Sequence, residues 1–444
     1  MPASAQTIPV PSLPGDLLAW AVEACFRPLH ALLCAPSLLF IATMTLMLFH
    51  SPDSPFPPYD RFAFLLLVFV VILRACLLRE PLHLAGPVTW PMLGLLVLAL
   101  CGVLIQPYEA ETWSMFAARW LVPFALYQLA AYVFVDSKSI RQFELFALLV
   151  LGYLSLIAVF FMMDMKELIF PRYILDEALG IHADRARGPF LQAVANGLAL
   201  NLLGLLALDS FRRKRLRGLA AFFLLVALPL AIVATKTRAV WASFAGSILL
   251  LLLFTQDRRL RRGCLVLTGA GLVGIGALLC CPDHHRSLGE RLEESGPVRF
   301  RMVVYQAGWE MFLERPFSGW GEHAMQSGLA NRVSDFHEER YYFHNTYLEI
   351  LVRYGVVGLT LYLWVIVDLF RIGRRRPGSS FSPDGSFLDK QFRSVWPLLV
   401  LVYLVNGSLV GMNYQFVNGL LFTLAGMLAA QNRLRGTKPH VLCS

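Results

Sequence analysis

Charge is scarce in this sequence. Asp, Glu, Lys and Arg together make up only 16% of 444 residues, while 57% are hydrophobic, and the mean hydropathy is +0.58. That balance excludes an ordinary soluble globular protein. The short alternating segments of an outer-membrane barrel are also missing: runs such as 216–235 and 239–254 are apolar on every face, which a β-strand alternating between lipid and lumen cannot be. No cleavable leader stands out. The first 28 residues contain proline and little charge, and the first long apolar run starts near Leu29, so a retained first span is expected. The eight cysteines (Cys25, Cys34, Cys76, Cys101, Cys264, Cys280, Cys281 and Cys443) fall mostly inside apolar runs. They show no metal-ligand spacing and no disulfide framework; adjacent Cys280 and Cys281 cannot pair with each other without strain, and packing is their expected role. No Asp-x-Asp pair occurs in the polar segments and the step from His337 to His344 is not a ligand pattern; neither a metal site nor a cofactor is expected.

What is present is a succession of apolar runs, each about 17–25 residues and therefore of bilayer-crossing length. They predict an all-α polytopic membrane protein with spans near 29–50, 62–80, 88–105, 116–135, 143–163, 189–209, 218–235, 239–255, 263–281, 346–370, 394–410 and 416–430. This divides the chain into a nine-span segment (1–281), a long polar loop (282–345) and a three-span segment (346–444). Basic residues alternate between the connections. Arg212, Arg213, Lys214, Arg215 and Arg217, then Arg258, Arg259, Arg261 and Arg262, then Arg371, Arg374, Arg375 and Arg376 occupy one set of short loops, which the positive-inside rule puts in the cytoplasm together with both termini. The net charge of +9 is thereby spent on topology, and nucleic acid is not an expected partner. Neither an inverted hydropathy repeat nor a set of mid-membrane charges supports a secondary transporter, although a transporter of an anionic lipid or solute remains the reading from a different class.

The outward connections hold the remaining chemistry. Loop 282–345 is too long for a mere connector. Within it Val298, Met302, Tyr305, Trp309, Phe312 and Leu313 recur at helical spacing, a stripe expected to lie on the membrane surface or against the bundle. Arg315-Pro316 ends that helix and Gly319-Trp320-Gly321 turns the chain. The next span opens at His344-Asn345-Thr346; Thr346 and Glu349 have capping-box spacing, and Glu349 and Arg353 form an i,i+4 pair. His344, at the positive end of the helix dipole, is expected to stay neutral and able to accept a proton. His182, His284, His285, His323 and His337 share its side of the membrane. Arg187 and Arg238 stand at outward helix starts away from the basic loops, and two guanidinium forks at one face suit phosphate. Arg299 and Arg301 extend the patch, while Arg119, near the end of its span, is expected to snorkel.

At these residues the chain resembles the O-antigen ligase and polymerase family, to which bacterial protein O-oligosaccharyltransferases are related. The resemblance rests on RARGPFLQAVANGLAL, similar to the family's Arg–Gly–Phe segment opening a span; on TKTRAVWASFAG, similar to its Thr-x-(Ser/Thr)-Arg turn; on the Arg301-led helix ending in ERPFSGWG; and on HNTYLEILVRYGVVG, similar to its His-Asn-x-x-Leu with a later Gly-x-x-Gly. Gln192 to Asn196 replaces the Pro-Asn pair of many members. The resemblance, strongest to the ligases, implies a GT-C-type glycosyltransferase in a Gram-negative inner membrane, acting at its periplasmic face. The donor would be a glycan on undecaprenyl diphosphate. The acceptor would be lipid A-core oligosaccharide for a ligase, a second lipid-linked unit for a polymerase, or a Ser/Thr hydroxyl for a protein transferase. His344 would be the general base, Arg187, Arg238 and Arg301 would bind the diphosphate, and transfer would be metal-independent and inverting.

Overall fold

A computed structural model describes residues 33–50, 57–280, 296–333, 342–374, 388–389 and 391–433; among these residues every regular element is helical. His284, His285 and His337 lie outside the described residues. In chain order come α1 (Pro36–Phe49), α2 (Tyr59–Leu78), α3 (Thr89–Leu104), α4 (Ala110–Phe116), a π-helical turn (Ala117–Leu121), α5 (Val122–Val133) and α6 (Ser137–Met162). They are followed by α7 (Ala193–Arg212), α8 (Gly218–Ala234), α9 (Arg238–Phe254), α10 (Arg258–Leu279), α11 (Gly296–Glu314), α12 (Glu322–Ala330), α13 (Thr346–Arg374), α14 (Phe392–Gly407) and α15 (Gln415–Arg433). Four of these, α2, α6, α7 and α13, are long and apolar enough to cross a membrane, and five shorter helices (α1, α3, α8, α9 and α14) are apolar as well. The chain is thus a helical membrane protein.

Its interior is organised around α7, whose apolar stretch is 89% buried. A helix apolar on all sides is stable only when surrounded, and α6, α8, α10 and α14 pack around it. By contrast only 22% of the apolar stretch of α2 is buried, leaving Phe62, Leu65, Phe69 and Ile72 outward, as a lipid-facing helix requires. Cys34 is disulfide-bonded, which corrects the expectation of no disulfide; Cys76, Cys101, Cys264 and Cys280 are free thiols, of which only Cys264 is buried, so Cys280 does not serve the packing role expected of it.

The C-terminal end of α7 carries a buried ionic network that corrects another expectation. Arg212 and Arg213 do not join the exposed basic loop. Arg213 contacts Glu144 at 2.5 Å and Asp209 at 2.8 Å, while Arg212 reaches Asp209 and Asp389, each at 2.7 Å. Ser210 completes it by donating to Glu144 at 2.6 Å. Lys214, Arg215 and Arg217 remain exposed.

The segment between α10 and α13 builds a small core of its own. Val304, Ala307 and Met311 of α11 pack with Met325 and Leu329 of α12, with Phe343, and with Val352 of α13. Gly308 permits the approach: a Cβ there would sit 2.3 Å from the Phe343 ring. The stripe anticipated on α11 divides: Phe312 packs against this core, while four of its residues face away. Val298, Met302, Trp309 and Leu313 are exposed, and Phe317 beyond the helix end continues the apolar surface. Of the two expected placements, packing against the bundle is therefore excluded for these four residues.

Candidate functional site

The site begins with a break in α13. Gly355 adopts φ 66°, ψ −165° inside the helix, in the region only glycine enters readily, and a Cβ there would meet the Phe317 carbonyl oxygen at 2.2 Å. The backbone groups freed by the break are met by the 316–321 turn: Trp320 and Gly321 N–H donate to the carbonyls of Val352 and Arg353 at 2.9 and 3.0 Å, and Val356 N–H donates to Pro316 at 2.8 Å. The predicted single span is thus a short first segment, Thr346 to Tyr354, followed by the long apolar one. The two glycine-containing motifs read separately in the sequence are two halves of one joint.

His344 immediately precedes the short segment. Its backbone is left-handed, φ 49°, uncommon for a residue with a Cβ and often associated with functional sites. Three contacts hold it: Phe343 is buried in the loop core, the Tyr305 hydroxyl donates to the His344 carbonyl at 3.3 Å, and Asn345 caps the helix. The cap corrects the capping-box reading. Asn345 Oδ1 accepts from the Tyr347 and Leu348 amides at 3.0 and 3.2 Å, whereas the Thr346 hydroxyl donates to Val410 O at 2.8 Å and accepts from the Met412 amide at 3.0 Å. Thr346 therefore ties the helix start to the connection between α14 and α15.

Half-buried His344 has its proton affinity pushed below the ordinary imidazole value, first by burial, then by the Arg301 guanidinium and His182; only Glu349 opposes the shift. The neutral ring expected from the helix dipole is thus supported by desolvation and neighbouring charge as well. Arg301, on α11, is half-buried and shares this electrostatic environment. Burial raises the Tyr305 phenol above its usual range, with Arg301 opposing.

Arg187 and Arg238 form a second group. Ala186 N–H donates to Ala234 O at 3.1 Å, so the segment preceding α7 lies against the Thr235–Thr237 turn that starts α9. Arg238 is the exposed first residue of α9. Arg187 is only 1% exposed; its Nε donates to Ile174 O at 3.0 Å and its two terminal nitrogens donate to the carbonyls of Leu179 and Asp176. Burial lowers its pKa, with Asp176 and Glu177 opposing. In this conformation the Arg187 fork grips the 174–179 loop rather than opening toward solvent. Asn196 supports the same turn, donating to Ala186 O at 2.8 Å, which gives a position that departs from the family pattern a definite structural role.

Arg119, near the end of its span, is expected from the sequence to snorkel. It does not snorkel: Nη2 contacts Glu349 Oε1 at 2.7 Å, with both side chains 8% exposed, and Nε donates to Asn413 Oδ1. Arg353 reaches the same Glu349 oxygen at 2.7 Å, so the expected i,i+4 pair is present as one arm of a triad. The available signal was a charged residue in an apolar run with one carboxylate near the same membrane face; spacing could not show that the two meet. A cavity of about 20 Å³ lined by Arg119, Trp120, Thr346, Glu349, Tyr362 and Tyr403 adjoins them, room for about one water. Among the described residues no group of three or more His, Cys, Asp or Glu side chains is arranged to hold a metal.

Comparison with known proteins adds one finding: residues 220–363 match the family model described as O-Antigen ligase. The curated proteins contain no match. The matched stretch includes Arg238, Arg301, His344 and the Gly355 joint, while Arg119 and Arg187 precede it. On that match, residues 220–363, about a third of the chain, are similar to the O-antigen ligase family.

Proposed function

We propose that this protein is an O-antigen ligase, transferring a glycan from undecaprenyl diphosphate to a hydroxyl of lipid A-core oligosaccharide at the periplasmic face of a Gram-negative inner membrane. A glycan-transferring membrane enzyme follows from the family match; the choice of ligase rests on the long outer loop and its resemblance to ligases. The observation that carries the mechanism is His344: half-buried, held in a left-handed backbone at the start of a broken helix, and biased toward the neutral form by burial and Arg301.

In this mechanism His344 takes the proton of the acceptor hydroxyl as that oxygen bonds to the anomeric carbon. The bond from that carbon to the diphosphate oxygen breaks on the opposite side, inverting the centre, and undecaprenyl diphosphate departs with the electron pair. General-base assistance of this kind is worth roughly 10²- to 10⁴-fold. Arg238 and Arg301 bind the diphosphate and stabilise its developing charge. Arg187 contributes at one remove, by fixing the loop behind the Arg238 turn. The polyprenyl chain stays in the bilayer, which is why transfer between sugars is housed in a membrane protein.

The test is reconstitution of the full chain with a lipid-linked glycan and lipid A-core in the presence of EDTA, read by gel mobility and product mass. Glycan on the core supports the ligase reading and metal independence. Longer chains still on undecaprenyl diphosphate would make the protein a polymerase, glycan on an added acceptor protein would make it a protein transferase, and movement of donor across the membrane without a new bond would make it a transporter.

A further inference from the structure

Arg119 sits where a buried cation needs a reason. The π-helical turn Ala117–Leu121 carries it, and Pro123 follows within the first turn of α5. Proline has no N–H to give the carbonyl four residues earlier, which is that of Arg119, so the regular ladder cannot continue there; π-turns of this kind recur at functional sites. The widened turn delivers Arg119 to Glu349 and to Asn413. Glu349 Oε1 also receives Arg353, so two guanidinium groups share one carboxylate. Burying such a triad is expensive, and removing one partner leaves an uncompensated charge. Glu349 lies in the first turn of the helix that His344 precedes, and its charge is the one neighbour that raises the proton affinity of His344.

We propose that Arg119 is a positioning residue for His344: through Glu349 it both masks the carboxylate that would strengthen imidazole protonation and, with Asn413, locks the first segment of α13 against the α14–α15 connection. This rests on the reading of His344 as general base and adds what tunes it. The groups facing His344 are Arg301 from α11, His182 from the loop before α7, the Tyr305 hydroxyl, and Glu349 with its two partners Arg119 and Arg353. Removing Arg119 takes away one cation and unmasks one anion. Both changes raise the proton affinity of His344.

The experiment uses full-length protein in nanodiscs and two readouts. The first is the pH profile of glycan transfer. The second needs no substrate: the rate at which diethyl pyrocarbonate, which acylates only neutral imidazole, modifies the His344 peptide is followed by mass spectrometry against pH. Arg119→Gln is expected to move both midpoints upward by on the order of half a pH unit or more, with transfer near neutrality falling several-fold. Arg119→Lys, which keeps charge but loses the fork, is expected to fall between. An unshifted modification midpoint in Arg119→Gln overturns the proposal whether or not transfer is lost, because a purely structural role would leave His344 titrating as before. If Arg119→Gln does not fold, Arg119→Lys and Asn413→Ala carry the same comparison. A shifted midpoint in a protein that transfers no glycan would sink the ligase reading and leave the positioning role standing.

Discussion

The molecule contains two buried arginine–carboxylate networks, one at each end of α14, and they differ in how they close. Near its start, Arg212 and Arg213 meet Asp209, Glu144 and Asp389: two cations face three carboxylates, so each guanidinium is compensated. Near its finish, Arg119 and Arg353 share Glu349, with Arg301, His344 and His182 in the same electrostatic environment. Among the described residues, two guanidinium groups there share one carboxylate. The first network ties α6, α7 and residue 389 together; the second ties the π-helical turn to the start of α13. Counting arginines would not separate them, whereas asking where each carboxylate goes does.

The largest contrast should come from removing one residue at each end. His344→Ala is expected to lower transfer by about 10²- to 10⁴-fold while the protein still elutes as a folded species on size exclusion. Arg213→Ala should do the reverse. Leaving Glu144 and Asp209 under-compensated costs about 3–5 kcal/mol, visible as loss of monodisperse protein, while whatever remains folded keeps its specific activity. Equal losses of activity per folded molecule in both variants would erase the distinction.

The joint gives the next effect. Gly355→Ala forces a Cβ into the Phe317 carbonyl and into a left-handed backbone, which costs about 1–3 kcal/mol. A lowered thermal midpoint together with lost transfer is expected; a variant with both unchanged would show that the break in α13 is dispensable.

A pH experiment sharpens the second network alone. Because His344 has a depressed pKa, its neutral form persists below the ordinary value near 6.5, and transfer should hold into mildly acidic solution before falling. In Arg301→Gln the acid limb should move to higher pH, since a cation that disfavours imidazolium is gone. The stability consequence has a definite sign. Between the depressed folded pKa and the unfolded value, the unfolded chain binds more protons, so acid erodes stability through that window; in His344→Ala that part of the erosion should vanish from the thermal midpoint measured against pH. The smallest effect belongs to Asn345→Ala, which removes the helix cap at a cost of about 1 kcal/mol and should lower the thermal midpoint by a few degrees at most.

Much of this was legible in the chain itself. All-apolar runs gave the helical membrane class, because only a self-satisfied backbone survives in lipid. The turn at 319–321 and the end of the α11 helix at Arg315-Pro316 also followed from local rules of proline and glycine. Capping was less secure: Thr346 and Asn345 are both suitable caps, and the choice was made by the α14–α15 connection, which claimed the Thr346 hydroxyl. The apolar stripe on α11 was read correctly as a stripe but could not be assigned a partner, because amphipathicity specifies a face and not what covers it.

What the sequence alone determined, then, is what depends on neighbours within one or two helical turns: the hydropathy of each run, the breakers, and the Glu349–Arg353 pair. What only the tertiary structure decided is pairing across hundreds of residues. Arg119 meets Glu349 230 positions later, and Arg213 meets Glu144 69 positions earlier. Arg187 spends its fork on carbonyls of a loop that precedes it, and the glycines of two separate motifs close on one joint. A charge in an apolar run must find compensation because burial makes leaving it alone so costly, but which partner it finds is set by how the helices pack, and no periodicity in the chain records that.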